Sequence, residues 1–416
     1  MTRDERQKEC LTKWIKNKCI GSLECCTGFG KTRMGLTSIK AILTMHPSWK
    51  ILVVVPTEPL KDQWIKQVKE LGYIDSVDVE IINTVVKNKY DIDLLILDEE
   101  HRYASNLFSE VFKRVKYKAI LGLTGTFERL DGKHKIVNKY CPIVDRVTII
   151  EALANSWVSD FVEYEVLLDV NNIDEYRQIN KTFISHFEFF GFDFKLLMSL
   201  IGKNGFENRK AYATMMCKDK SRWSEYFKAT TMHAMGCMRT MNAKKQFINN
   251  HSKKIEIARK IIAARPHSKI ITFSNNVKMA ESIGMNGGVY TGKMTKKKGR
   301  VTLEEFYKKK EGVLHSCARL NEGADCPGLN VAIILGIDSS STKSRQRLGR
   351  VVRFEEGKKA EIFNIVINDT QEVSWFLNSH KNTPYITIDE TNLDRILNGE
   401  SFTTYSRPVE KFNYQF

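Results

Sequence analysis

The run Cys25-Cys26-Thr27-Gly28-Phe29-Gly30-Lys31-Thr32 constrains the fold more than any other stretch of the chain. A short apolar segment precedes it, and a helix-forming one, Arg33 to Leu43, follows. A strand, a glycine-bearing turn and a helix in that order make a nest of backbone N–H groups with a helix N-terminus behind it, which suits phosphate oxygens. Gly28 and Gly30 let the backbone approach an anion closely because no Cβ intervenes. The backbone from Thr27 through Phe29 to Lys31 would line the anion, Lys31 would reach the β- and γ-phosphates of a nucleotide, and the Thr32 hydroxyl would hold Mg²⁺. The pattern departs from strict G-x-x-x-x-G-K-[ST], since Cys25 stands where the first glycine belongs.

A second run, Leu94-Leu95-Ile96-Leu97-Asp98-Glu99-Glu100-His101, places acids directly after four apolar residues. It reads as a buried parallel strand ending at the carboxyl edge of a sheet, where open α/β sheets bind ligands. There Asp98 can hold Mg²⁺ and Glu99 can orient and deprotonate a water. ATP hydrolysis needs both jobs, because its chemistry is mostly positioning and neutralisation of phosphate charge.

Further short patterns follow in order. Pro56-Thr57, Leu60, Gln63 and Trp64 come after the apolar run Ile51–Val55, and Thr124-Gly125-Thr126 ends the run Ala119–Leu123. The strand-like Lys269–Phe273 opens a second α/β stretch. Glu322-Gly323-Ala324-Asp325-Cys326-Pro327 precedes Val331–Leu335, and Gln346-Arg347-Leu348-Gly349-Arg350-Val351-Val352-Arg353 comes last. This succession resembles the superfamily 2 helicases of the DExH branch, over roughly residues 1–165 and 250–370. The Asp98–His101 spelling and the Pro56–Trp64 and Glu322–Pro327 boxes look most like phage branch-migration helicases and XPB/RecG-like translocases.

The resemblance implies an ATP- and Mg²⁺-dependent motor with two tandem RecA-like parallel-sheet domains. Gln7 is similar to the adenine-reading glutamine of these enzymes, although the usual Arg-x-Tyr before it is missing. Thr124 and Thr126 would couple hydrolysis to strand movement, together with Pro56, Thr57, His101 and Glu322. Arg350 and Arg353 would complete the ATP site from the second domain, with Gln346 near the γ-phosphate and His101. Gly323 and Asp325 would reach ATP and the nucleic-acid backbone. The implied substrate is DNA more than RNA, forked or branched, in replication, recombination or repair. The alternatives are a translocase that never separates strands, a nucleic-acid-binding module with a degenerate ATP site, and an ATPase acting on proteins. The chain is expected to act as a monomer, with replication or recombination proteins as possible partners.

The bulk properties agree with a polyanion as partner. A chain of 416 residues suits two to three domains. Its net charge of +16 favours nucleic acid. No apolar run approaches the ~20 residues of a membrane span, and Met1-Thr2-Arg3-Asp4-Glu5-Arg6 has no signal-peptide core. Nine cysteines without a CxxC pair argue against a disulfide framework or a zinc ribbon, and for reduced thiols in a cytoplasmic protein.

The chain is expected to divide into an ATP-binding domain at 1–165, a linker strand with a helical insertion at 166–250, a second RecA-like domain at 251–372, and a short appendage at 373–416. The stretch from Asn171 to Asn250 has no proline, thirteen Lys or Arg against seven Asp or Glu, thirteen aromatic residues and seven methionines. Met232, Met235, Met238 and Met241 recur at helical spacing, as core positions do. Aromatic residues among basic ones also suit stacking on single-stranded bases, and Trp223, Tyr226 and Lys228 are open to either use.

Overall fold

The computed structural model describes residues 1–125, 132–284, 287–317, 326, 328–337, 359–380 and 383–400, with Lys296 described by its backbone alone. Thr126, Glu322, Gly323, Asp325, Gln346, Arg350 and Arg353 lie outside the described residues.

The strands run in chain order as β1 Ile20–Cys25, β2 Ile51–Val55, β3 Val77–Ile81, β4 Tyr90–Asp91, β5 Leu94–Asp98, β6 Val115–Lys116, β7 Ala119–Thr124, β8 Ile143–Val147, β9 Asp160–Leu168, β10 Lys269–Ser274, β11 Gly288–Tyr290, β12 Gly312–Cys317, β13 Val331–Ile334, β14 Lys359–Ile367 and β15 Ile386–Ile388. Among the described residues they form two large parallel sheets and the short parallel pair β4-β6. The first has the order β3-β2-β5-β7-β1-β8, and the second β11-β12-β10-β13-β14-β9-β15. Strands β2, β5 and β7 are buried at every position, which is why they read as unbroken apolar runs rather than alternating ones.

Helices cover the first sheet. Helix α1, Arg3–Lys16, carries the capping box Thr2/Glu5, which satisfies two otherwise orphaned N–H groups. Its Trp14 indole donates to the Ile120 carbonyl across 2.9 Å. Helix α2, Lys31–Met45, follows the glycine turn, and α3, Glu58–Glu70, follows Pro56-Thr57. Their apolar faces join β1, β2, β5 and β7 in one core with Trp14, Phe29, Met34 and Trp64.

Two expectations need correction. The expected boundary at 165 cuts through β9, which pairs with β14 and β15 and belongs to the second sheet. The change of sheet falls between Val147 and Asp160. After β8 ends at Val147, Thr148 caps the short helix Ile149–Ala154. The region after residue 372 is no appendage as far as it is described. Helix Gln371–Ser379 lies along β14, β15 adds the edge strand beside β9, and helix Glu390–Leu397 buries Leu393 and Ile396 in the second core.

Between β9 and β10 of the second sheet the chain forms the helices Ile173–Glu188, Phe194–Ile201, Gly205–Met216 and Trp223–Asn250. They have a core of their own, with Phe183, Phe187, Phe190, Leu197, Leu200, Ala234 and Cys237 buried. Gly236 is required there, because a Cβ would come within 2.5 Å of the His186 ring. Met235 and Met241 pack against this core, whereas Met232 faces solvent. Among the described residues no helix is long and apolar enough to cross a membrane.

Candidate ATP site

Strands β5, β7 and β1 are neighbours, so their carboxyl ends bring Asp98, Thr124 and the glycine turn to one edge of the first sheet. Two glycines shape the turn. Gly28 and Gly30 have φ of 86° and 101°, in the left-handed region that glycine occupies without strain. A Cβ on Gly30 would also meet the Gln7 amide nitrogen at 2.6 Å. That amide donates to the Phe29 carbonyl across 2.6 Å, tying α1 to the turn. The Phe29 side chain is fully buried against Trp157, with ring centroids 5.5 Å apart. Only its backbone faces the nest, which narrows what position 29 offers a ligand.

Lys31 and Thr32 open α2. The Lys31 ammonium donates to the Cys25 carbonyl across 3.4 Å, and a Cβ on Gly125 would lie 3.2 Å from it. Glycine at 125 thus leaves room over the lysine. Cys25 and Cys26 are packing residues: burial pushes the Cys26 thiol up to about 12, and Cys25 is raised through its contact with Cys10 and its burial. Neither is a thiolate near neutral pH.

The three consecutive acids have three different surroundings. Asp98 is buried, and its carboxylate accepts from the Trp64 indole at 2.8 Å and from the Glu99 backbone N–H at 3.0 Å. Burial, then the neighbouring Glu99 charge, pushes it up to about 6. Glu99 has a partly exposed side chain and lies 3.6 Å from His101 Nδ1. Glu100 turns the other way, into the packing beneath the sheet. It accepts from the Ser22 hydroxyl at 2.6 Å and rests on Gly122, and burial pushes it up to about 7.

His101 Nδ1 is 3.2 Å from the Thr124 hydroxyl, a contact that joins the ends of β5 and β7. Pro56 and Thr57 are half-buried where β2 gives way to α3, and the Thr57 hydroxyl makes no hydrogen bond although Thr57 occupies the N-cap of α3.

Asp98 and Thr32 offer a carboxylate and a hydroxyl oxygen, the ligand type Mg²⁺ takes when substrate phosphates and water complete its shell. The glycine cradle beside Lys31 fits the phosphates. Among the described residues no three His, Cys, Asp or Glu side chains gather as a self-sufficient metal site.

Two residues beyond the expected set also shape the site. Arg6 is nearly buried and bonds to Asp145 and Glu151, with its Nε 3.0 Å from the latter, which holds α1 in place next to Gln7. Trp64, noted in the sequence only as part of a box, reaches Asp98 directly.

Residues 1–93 and 71–129 match the family model described as type III restriction enzyme, res subunit, and residues 253–355 match the helicase conserved C-terminal domain. The chain belongs to the superfamily 2 helicases. It is similar to the DNA 3'-5' translocase XPB2 of Sulfurisphaera tokodaii, with 28% identity over 88% of this chain and 82% of that protein. The fold of this helicase is also that of the Pyrococcus furiosus Hef helicase domain, with TM-score 0.54, 16% identity, and coverage of 91% of this chain and 97% of that one. Dbp5 of S. cerevisiae, solved bound to RNA and ADP BeF3, gives TM-score 0.58 at 13% identity, over 94% of this chain and 91% of that one. The protein is accordingly an ATP-hydrolysing enzyme that uses ATP with Mg²⁺ and acts on nucleic acid.

Proposed function

We propose that this helicase is a DNA motor working on forked or branched DNA, with its ATP site at the carboxyl edge of β1, β5 and β7. The observation that carries the reading is the meeting of the Gly28–Lys31 turn, Asp98-Glu99 and the His101–Thr124 contact along one sheet edge. Lys31 and the turn amides bind the phosphates, and Gln7 reads the adenine from α1. Asp98 and Thr32 hold Mg²⁺, which supplies charge neutralisation at the phosphates. Glu99 accepts the proton of the attacking water. His101 and Thr124 pass the state of the site to Pro56 and Thr57, which face the strand. Thr126, Glu322, Gly323, Asp325, Gln346, Arg350 and Arg353 complete the site and its coupling. The domains divide at about residues 148–159 and 250, and the protein works as a monomer.

A second surface belongs to the insertion, where helix Gly205–Met216 leads to Trp223–Asn250. Trp223 and Phe227 stack with ring centroids 5.2 Å apart, Phe206 meets Phe227 edge-on, and the Lys210 ammonium lies 4.4 Å from the Phe206 ring. Phe206 and Tyr226 are exposed among basic residues, which supports base stacking on an unpaired strand.

ATP turnover measured alone and with single-stranded DNA, duplex DNA and RNA tests the reading. Stimulation by DNA above RNA, falling steeply with salt as phosphate contacts dictate, is the expected result. Lys31→Ala should abolish turnover while polynucleotide binding persists. Normal turnover in that variant would overturn the assignment of the turn. A translocase that moves along duplex without separating strands is the second reading, favoured by the similarity to the DNA translocase of Sulfurisphaera tokodaii. A forked and a blunt duplex, compared in an unwinding assay, separate the two.

A further inference from the structure

We propose that Trp64 is the positioning residue for Asp98, fixing the carboxylate that holds Mg²⁺ and tying it to the helix that follows Pro56-Thr57. The inference rests on the assignment of Asp98 made above.

A buried aspartate can rotate about two bonds, and a metal ligand must not. Both Asp98 oxygens are engaged from fixed positions. The Glu99 backbone N–H reaches Oδ1 at 3.0 Å, and the Trp64 indole N–H reaches Oδ2 at 2.8 Å. Each oxygen accepts one bond and keeps one further lone pair. Both oxygens thereby keep acceptor capacity for a metal ion or its water.

The indole is itself immobile. Trp64 has no exposed surface. Its ring occupies the place a Cβ on Gly35 would take, 2.5 Å from Cη2 of the indole, and the Leu123 side chain closes the same space. Gly35 belongs to the helix that follows the phosphate turn, Leu123 to the strand leading to Thr124, and Trp64 to α3. One side chain thus meets the nucleotide helix, the coupling strand and the acid. A phenyl ring lacks the second ring that meets Gly35, so Trp64→Phe alters packing as well as the N–H, and an isostere that keeps the bicyclic shape is needed to separate the two.

Trp64→Phe removes that donor. A second variant, with 3-benzothienylalanine at position 64, replaces the N–H by sulfur at nearly unchanged shape and decides the matter if the phenyl variant misfolds. The measurement is equilibrium binding of a fluorescent non-hydrolysable ATP analogue while Mg²⁺ is titrated. Outer-shell partners of a metal ligand typically contribute 10- to 100-fold to metal affinity. The expected result is metal-free nucleotide affinity close to the parent's and an Mg²⁺ half-saturation raised about 10-fold in both variants. A packing role would weaken metal-free binding as well and spare the benzothienyl variant. Parental half-saturation in both variants would overturn the role of Trp64 and leave Asp98 standing. If nucleotide binding by the parent ignored Mg²⁺, the Asp98 assignment would fail, and this inference with it.

Discussion

Glu99 holds φ 50° and ψ 52°, a left-handed conformation that non-glycine residues adopt at a cost of roughly 1–3 kcal/mol. The bend lets consecutive acids diverge. Asp98 stays in the strand with its carboxylate bound on both oxygens, while Glu100 drops onto Ser22 and Gly122 below the sheet. Glu99 alone keeps a partly exposed carboxylate at the edge. A base must reach water, so the three acids cannot exchange roles. Glu99→Gln should therefore keep nucleotide affinity and lower turnover by about 10²-fold or more, the usual share of a general base. Glu100→Gln, which mimics a carboxyl held near its neutral form, should leave turnover near the parent's. Single-turnover hydrolysis beside nucleotide titration of both variants checks this. Equal loss of binding and hydrolysis on changing Glu99 would make it a ligand or a structural residue.

At the scale of elements, the sequence exposed what local pattern decides and hid what partner choice decides. Strands β2, β5 and β7 announce themselves, because a strand covered on both faces must be apolar throughout. The glycine turn and the acids at the end of β5 were legible for the same reason, since their residue types follow from close backbone approach and from the sheet edge. Strand β9 was legible as a strand but not as a member of the second sheet, because its pairing with β14 lies about two hundred residues away. Strand β15 spans only three residues between polar turns and shows no period of its own. Phe29 looked like part of the ligand site because it sits between two glycines, yet its ring anchors the turn in the core. The insertion was legible as helical, and its methionines divide between its core and solvent. Its exposed rings make a direct prediction. Replacing Phe206 and Tyr226 by alanine should weaken single-stranded DNA binding by roughly 10-fold or more, since base–aromatic stacking contributes about 1–3 kcal/mol per base. ATP turnover without polynucleotide should be unchanged. Fluorescence anisotropy of a labelled oligonucleotide reads the effect, and unaltered affinity would remove the insertion from the strand path.

At the scale of the whole molecule, the first sheet brings the glycine turn, Lys31 and the acids to one edge, but the charge that develops during phosphoryl transfer asks for more than the proposed site there supplies. In the proposed site Lys31 already has one task on the phosphates. Arg350 and Arg353 lie more than three hundred positions further on, in the stretch between β13 and β14 of the second sheet. If that stretch meets the nucleotide only when the two sheet domains close, binding and hydrolysis will respond differently to its loss. Nucleotide binding, which in the proposed site draws on Lys31 and the turn amides, should weaken little in Arg353→Ala. Turnover should fall by about 10³–10⁵, the contribution of an arginine supplied to the transferring phosphoryl group. Stimulation by DNA should vanish as well, because strand binding would drive a closure that no longer assembles the site. Measuring nucleotide affinity, basal turnover and DNA-stimulated turnover on one preparation separates these effects. Full DNA-stimulated turnover in Arg353→Ala would mean that hydrolysis is completed within the first sheet domain, and that the second serves the strand alone.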